Sequence, residues 1–158
     1  KSIEIEPFKA RPHCYLGAML EEAGKRKGAI LQLERAVELS PQDPEVLNYL
    51  GYVYTEEGMK LDEAEALISK ALEMDPDNGA YVDSLGWVYY KKGMFEEARV
   101  QLEKAQELVG EDPVVYDHLG DAHFKIGSFD KAREAWQKSL ELESNDEVKE
   151  KLEELEKE

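Results

Sequence analysis

The residues that could carry chemistry in this sequence form two small groups, one near the start and one in the last third. Near the start, Cys14 directly follows His13. Adjacent residues of a helix point in different directions, so this thiol and imidazole are not expected to act as a catalytic pair. In the second group, Asp117 and Asp121 lie four residues apart on one predicted helix face, and His118 adjoins Asp117.

The second group would make only a weak cation site. His123 is five residues from His118 and therefore points elsewhere, and no cysteine joins the cluster. The sequence also lacks a nucleophile elbow, a phosphate-binding loop and a pair of carboxylates placed as in a catalytic cleft. We therefore predict a protein that is not an enzyme, with no catalytic residues, no bound metal and no cofactor.

Acidic residues dominate the charge of the chain. Among 158 residues there are 36 Asp and Glu but 20 Lys and Arg, so the formal net charge is -16. An acidic chain repels phosphate backbones, so nucleic acid is a poor partner, whereas basic or hydrophobic peptides are better ones. The alternative is that the acidity mainly confers solubility. No apolar run is long enough to span a membrane, so no direct membrane insertion is expected.

An internal repeat organises most of the chain. Leu-Gly pairs recur with glycines 34, 35 and 34 residues apart, at Leu16-Gly17, Leu50-Gly51, Leu85-Gly86 and Leu119-Gly120. Small residues also recur every 34 or 35 residues, at Ala29, Ala64, Ala98 and Ala132, and seven residues further on at Ala36, Ala71, Ala105 and Ser139. A fixed period of this length is typical of proteins built from stacked copies of one structural unit.

The repeated pattern resembles the tetratricopeptide repeat (TPR), a helix-turn-helix unit with the signature W-x2-L-G-x2-Y, A-x3-F and a late proline. The second copy carries it as Leu47, Leu50-Gly51, Tyr54, Ala64, Ile68 and Pro76. The third copy has Val82, Leu85-Gly86, Tyr89, Ala98 and Leu102, and the fourth has Tyr116, Leu119-Gly120, His123, Ala132 and Trp136. The resemblance covers residues 10–146 and implies an all-α fold, a right-handed α-solenoid of tandem helix-turn-helix units.

We divide the chain into a partial repeat, four full repeats and a capping helix. Residues 1–9 align with 70–78 and are predicted to end a truncated preceding repeat of a longer protein. The TPR units are predicted at 10–43, 44–78, 79–112 and 113–146. Residues 147–158 form a charged helix with three apolar residues on one stripe, at Val148, Leu152 and Leu155. A solenoid exposes its last apolar face unless something covers it, so this helix is the predicted cap.

Two details of the repeat predict packing. The Leu-Gly glycines fall inside helices, where Gly costs about 1 kcal/mol relative to Ala, so a neighbouring helix is expected to pass close by, with the repeated alanines on its side of the contact. The turn of the second unit has one extra residue. Either Met59 or Leu61 must therefore replace the aromatic residue that later units carry as Phe95 and Phe129.

In the TPR family, the first helix of each pair lines a concave groove, and the resemblance implies which positions point into it. It implies an aromatic strip of Tyr15, Tyr49, Tyr52, Trp87, Tyr90 and Phe124, an acidic cluster of Asp83, Asp117 and Asp121, and the neighbouring Lys91 and His118. Other groove positions of the first unit are Cys14, Ala18, Glu21 and Glu22. Large aromatics make good peptide anchors, and the acidic cluster could receive a partner's Lys or Arg. Alternatively, some of the rings are buried between repeats, and the acidic patch is merely solvated.

The resemblance implies a non-catalytic scaffold or adaptor that binds a partner protein or peptide through this groove. Some TPR domains hold the C-terminal carboxylate of a chaperone with a clamp that needs Lys at the fifth position and Asn at the ninth of its first repeat, and no unit here fits that pattern. A self-associating array and a subunit that positions a partner's catalytic domain are the alternatives. The last repeats are also similar to C-terminal arrays of bacterial TPR adaptors, including exported lipoproteins. This similarity favours a bacterial protein, and the compartment stays open between the cytoplasm and a periplasmic or membrane-anchored form that a missing N-terminal region would hold.

Overall fold

The computed structural model describes residues 23–157, in which eight α-helices follow one another without a strand. They are α1 (Ala23–Leu39), α2 (Pro44–Glu57), α3 (Leu61–Met74), α4 (Gly79–Lys91), α5 (Phe95–Val109), α6 (Pro113–Lys125), α7 (Phe129–Leu142) and α8 (Asp146–Glu156). The predicted all-α fold is confirmed. The predictions for residues 1–9, and for Cys14, Tyr15, Ala18, Glu21 and Glu22, lie outside the described residues.

The chain divides between Met74 and Asp75 into two compact units. In the first, α2 packs against α1 and α3. In the second, α4 pairs with α5 and α6 with α7, while α6 also contacts α5 and α8 lies against α7. This succession of helical hairpins matches the helix-turn-helix repeat read from the sequence.

The hairpins begin where the sequence supplies a cap. The Asp43 carboxylate accepts hydrogen bonds from the backbone N–H groups of Glu45 and Val46, at 3.0 and 3.4 Å. Asp112 caps α6 in the same way. A proline follows each of these aspartates at the first helical position, where its missing N–H costs nothing.

A left-handed glycine follows the first helix of each hairpin. These glycines are Gly58, Gly93 and Gly127, with φ of 67°, 83° and 85°. The extra residue of the α2–α3 turn is Lys60, which also has a positive φ, of 50°. Leu61 then begins α3 as Phe95 begins α5 and Phe129 begins α7. Leu61, and not Met59, therefore occupies the place of the aromatic residue.

The helical glycines sit where their hairpin partner comes closest. A Cβ atom on Gly51 would lie 2.6 Å from Ile68 Cγ1, and one on Gly86 would lie 2.7 Å from Leu102 Cγ. Both distances are shorter than a side chain allows, which explains why Gly is used. The repeated alanines take a smaller part in this contact than predicted. Ala64 contributes its carbonyl oxygen, 3.0 Å from the Gly51 position, and the nearest atoms belong to the larger residue four positions later.

The last helix is held by its apolar stripe. The side chains of Val148, Leu152 and Leu155 are buried and pack in one cluster with Ala132 and Trp136 of α7. Helix α8 therefore covers apolar residues of α7 with its stripe of apolar side chains. Because Val148, Leu152 and Leu155 face α7, the orientation of α8 about its axis is fixed, and with it the direction in which its other side chains point.

Candidate functional site

Eight of the predicted partner-binding residues lie on two helices of the second unit. Helix α4 carries Asp83, Trp87, Tyr90 and Lys91, and α6 carries Asp117, His118, Asp121 and Phe124. Spacings of three and four residues place each set on one side of its helix. The contacts described below join the two sets to each other and to α8.

A stack of rings joins α4 to α6. The Trp87 indole lies parallel to the Tyr90 ring, with centroids 4.7 Å apart, and parallel to the His118 imidazole, with centroids 3.9 Å apart. Lys91 Nζ lies 5.3 Å from the centroid of the Trp87 ring. Trp87 is only 8% exposed, whereas Tyr90 is half-buried. The buried indole of Trp87 thus packs beneath Tyr90, and Tyr90 is the ring of the stack that a partner could touch.

His118 is also tied to α4 by an acidic partner. Its Nδ1 lies 3.1 Å from Oδ1 of Asp83, and both side chains are nearly buried. Burial by itself lowers the pKa of His118, but the negative charge of Asp83, with smaller contributions from Asp117 and Asp121, outweighs burial and raises that pKa. The pair therefore favours a charged imidazolium between the two helices.

Lys151 of α8 occupies the acidic pair of α6. Its Nζ donates hydrogen bonds to Oδ1 of Asp117 and to Oδ1 of Asp121, both at 2.8 Å. The Asp121 carboxylate also accepts a hydrogen bond from Trp136 Nε1, at 3.2 Å. Burial lowers the pKa of Lys151, but the two carboxylates raise it by more. The cation that the sequence suggested a partner would bring to this pair is supplied by the chain itself.

Burial acts in the opposite sense on the carboxylate at the centre of this arrangement. It raises the pKa of Asp121, and the nearby Asp117 adds to the increase, while Lys151 opposes it. Sequence reasoning missed the role of Lys151, because it lies 30 residues beyond Asp121 on the helix predicted only as a cap. Its sole signal was a lysine on the side of α8 next to the apolar stripe.

A cleft of about 430 Å³ opens beside this lysine. It is lined by aromatic and aliphatic side chains and by charged ones, namely Tyr90, Asp121, Phe124, Lys125, Trp136, Glu147, Glu150, Lys151, Glu154 and Leu155. Phe124 is 39% exposed, and its ring centroid lies 5.8 Å from that of Trp136. The cleft thus combines exposed ring surface with carboxylates, which suits a ligand having both apolar and cationic groups.

The remaining predicted residues lie in the first unit. Tyr49 is buried in α2 and Tyr52 is half-buried, and both already make interactions within the chain. The nearby Tyr54 donates a hydrogen bond to Glu34 Oε2, at 2.6 Å. Burial raises the pKa of Tyr54, and the hydrogen bond to Glu34 raises it further. Roles for Tyr49 and Tyr52 in partner binding remain predictions.

Between residues 23 and 157, no group of three His, Cys, Asp or Glu side chains is placed to hold a metal ion. His123 lies apart from His118, with Nε2 3.8 Å from Glu103 Oε2, and burial lowers its pKa. None of the helices described is long and apolar enough to cross a membrane.

The fold is an all-α array of helical hairpins, with partly exposed aromatic and charged residues on one face of its second unit. Sequence profiles of the tetratricopeptide repeat match residues 20–86, 59–114 and 113–146. Together they span most of the chain, from the first unit into the second. The chain belongs to the tetratricopeptide-repeat family, whose members are generally interaction modules and not enzymes.

Individual relatives agree with this assignment. A thermophilic TPR protein from Thermus thermophilus has a similar structure, with a TM-score of 0.77, 25% identity, and coverage of 89% of this chain and 78% of that one. The first TPR of RPAP3 (Spaghetti), bound to the HSP90 peptide SRMEEVD, has a TM-score of 0.68 and 26% identity, and covers 73% of this chain and 92% of its own. The Caenorhabditis elegans BBSome complex member bbs-4 is 40% identical over 45 residues, which are 28% of this chain but only 10% of that protein.

Proposed function

We propose that this protein is a non-catalytic adaptor whose second unit binds a peptide segment of a partner protein at the cleft between α4, α6, α7 and α8. The observation that carries the proposal is the cleft itself, because Tyr90 and Phe124 offer ring surface beside carboxylates. Ligand sites in proteins commonly occupy about 300–1,000 Å³, and this cleft falls within that range. Peptide binding by the RPAP3 domain supports the proposal, because that domain has the same fold.

The kind of peptide differs from the acidic one in the RPAP3 complex. TPR domains that hold acidic chaperone tails place Lys at the fifth position of the unit and Asn at the ninth. Here the third unit has Asp83 and Trp87 at those positions, and the fourth has Asp117 and Asp121. Carboxylates repel an acidic tail, so the proposed partner is not of that kind.

Peptide selection on the full chain tests the proposal. A displayed random-peptide library would be selected against the protein, and the enriched peptides would be titrated by fluorescence anisotropy. Phe124→Ala should weaken their binding about tenfold, because a central aromatic anchor typically contributes more than about 1 kcal/mol. Val114→Ala is the matched control, since Val114 is an exposed apolar residue of α6, at 47%, that does not line the cleft.

Equal loss of peptide binding in Phe124→Ala and Val114→Ala would contradict the proposal. Unchanged binding of the selected peptides to the Phe124→Ala variant would contradict it as well. Circular dichroism of both variants shows whether the fold is kept, because Phe124 also packs near Phe129 and Trp136. Light scattering on the same samples addresses the alternative function. A monomer at tens of micromolar would exclude self-association as the role of this chain.

A further inference from the structure

We infer that the occupant of this cleft is a basic amphipathic peptide, and that α8 supplies the acidic wall that selects it. The inference rests on the proposed function and adds the chemistry of the partner. It also gives α8 a second role beside covering α7.

The free charge of the cleft is negative. Glu147, Glu150 and Glu154 are exposed, and their spacing of three and four residues places them along one side of α8. Within residues 23–157, these three glutamates take part in no ion pair. Of the two lysines of the cleft, Lys151 is neutralised by two aspartates, and the exposed Lys125, whose Nζ lies 5.7 Å from the centre of the Phe95 ring, offsets only one of the three glutamate charges.

The cleft also has apolar lining residues. Phe124, 39% exposed, and the half-buried Tyr90 offer ring surface to a peptide, whereas Trp136 and Leu155 line the cleft but are nearly buried. An extended peptide points alternate side chains to opposite sides. Apolar residues of such a peptide can therefore pack on the rings while lysines or arginines between them reach the glutamates.

The contacts of Lys151 show how an ammonium group is bound beside the cleft. Its Nζ is held by Asp117 and Asp121 and lies 5.8 Å from the centroid of the Trp136 ring. Carboxylates beside an aromatic ring form a favourable environment for a cation. Since these aspartates are already satisfied, a partner's cation has the three glutamates of α8 as its counter-charges, and the net charge of -16 attracts it from a distance.

Two labelled peptides of equal length test the inference on the full chain. One alternates lysine with leucine, and the other alternates glutamate with leucine, so that only the charge differs. Each is titrated by fluorescence anisotropy against the unmodified protein and against two double variants. Glu150→Gln with Glu154→Gln neutralises the wall, and Glu153→Gln with Glu156→Gln is the control, since these exposed residues of α8 do not line the cleft.

The lysine peptide should bind with saturation, and the glutamate peptide should not. Neutralising Glu150 and Glu154 should weaken binding of the lysine peptide about three- to tenfold, because each exposed ion pair contributes modestly. The control variant should stay within about twofold of the unmodified protein, although its net charge changes equally. Equal losses in both variants would indicate diffuse attraction and overturn the inference, as would equal binding of the two peptides.

The same variants separate this inference from the proposed function. If selected peptides depend on Phe124 but bind equally well after Glu150 and Glu154 are neutralised, the cleft binds peptides and the charge rule is wrong. If no peptide depends on Phe124, the proposed function fails first. Retained binding of the lysine peptide by the Phe124→Ala variant would place that peptide outside the cleft and reject the inference, while the proposed function would still depend on the selected peptides.

Discussion

Replacing Gly120 by alanine is predicted to destabilise the second unit, although alanine is the better helix former. A Cβ atom at this position would lie 2.9 Å from Cγ of Trp136 and closer still to Cδ1 and Nε1 of the same ring. Carbon atoms pack favourably at about 3.5–4.0 Å, so the indole would have to shift by roughly 1 Å. That ring is rigid and buried, and its Nε1 donates a hydrogen bond to Asp121.

The expected magnitude follows from three contributions. Overpacking of a core costs about 1–3 kcal/mol, and weakening the Trp136–Asp121 hydrogen bond adds about 1–2 kcal/mol. Alanine returns about 1 kcal/mol of helix propensity. The net loss in unfolding free energy for Gly120→Ala is therefore about 1–4 kcal/mol. At about 2–4 °C per kcal/mol for a chain of this size, the melting temperature should fall measurably.

Gly28→Ala is the matched control and should have the opposite sign. Gly28 also lies inside a helix, but no atom of residues 23–157 lies within 4 Å of the position its Cβ would take. The same substitution should therefore stabilise the protein, by up to about 1 kcal/mol. Thermal unfolding is followed by circular dichroism and by tryptophan fluorescence. Because Trp87 and Trp136 are the two tryptophans of the chain, fluorescence reports on the second unit alone.

A double-mutant cycle tests the cause and not only the sign. In a Trp136→Leu background the ring atoms nearest to Gly120 are gone, so Gly120→Ala should cost less by about 1–3 kcal/mol. An equal cost in both backgrounds would refute the argument from close packing. A stabilising effect of Gly120→Ala in the unmodified protein would refute it more directly.

Two further predictions concern titration and the internal lysine. Because the pKa of His118 is raised in the folded protein, this residue stabilises the fold fully below pH 6.5, and its contribution is lost as the pH rises through the folded-state pKa. The pKa of His123 is lowered instead, so its contribution to stability is present above pH 6.5 and is lost as the pH falls below that value. When the urea midpoint of unfolding is plotted against pH, His118→Gln and His123→Gln should therefore change the slope in opposite senses relative to the unmodified protein. Equal slopes in the two variants would contradict this assignment. Lys151→Met should lower the unfolding free energy by about 1–2 kcal/mol near pH 7, because the loss of Lys151 leaves two carboxylates without their cation. The matched control Lys149→Met, at an exposed position of α8, should have little effect. The deficit of Lys151→Met should shrink as the pH falls, because the raised pKa of Asp121 means that its carboxylate is protonated at a higher pH than that of a free aspartate. A deficit independent of pH would argue for lost packing instead.

The sequence predicted the hairpins well, because their determinants are local and repeated. Asp43 and Pro44 start a helix through contacts within a few residues, and Gly58 ends one through its own backbone conformation. Such signals are read without knowledge of the tertiary structure. The choice between Met59 and Leu61 could not be made in this way, because it depended on the conformation of Lys60, a residue that seldom adopts a positive φ.

The candidate site was predicted only in part, because its contacts join distant segments. The spacing of Asp117 and Asp121 identified an acidic face, but nothing near them in sequence indicated that Lys151 would fill it. Trp87 was expected to face a partner, and the structure places it beneath Tyr90 and beside His118. A helical period shows which side of a helix a residue is on, whereas how deeply it is covered depends on the neighbouring helix.

Helix α8 both covers the apolar residues of α7 and carries the proposed acidic wall of the cleft, so few experiments can separate these two roles. Its apolar stripe covers Trp136, and the adjoining side carries Lys151 and the glutamates of the cleft. Deleting the helix would expose the core of α7, release the acidic pair of α6 and remove the proposed binding wall at once. Loss of binding after such a truncation would therefore say nothing about recognition. Neutralising Glu150 and Glu154 leaves the buried stripe and the lysine in place, so a change in peptide selectivity can be assigned to the wall itself.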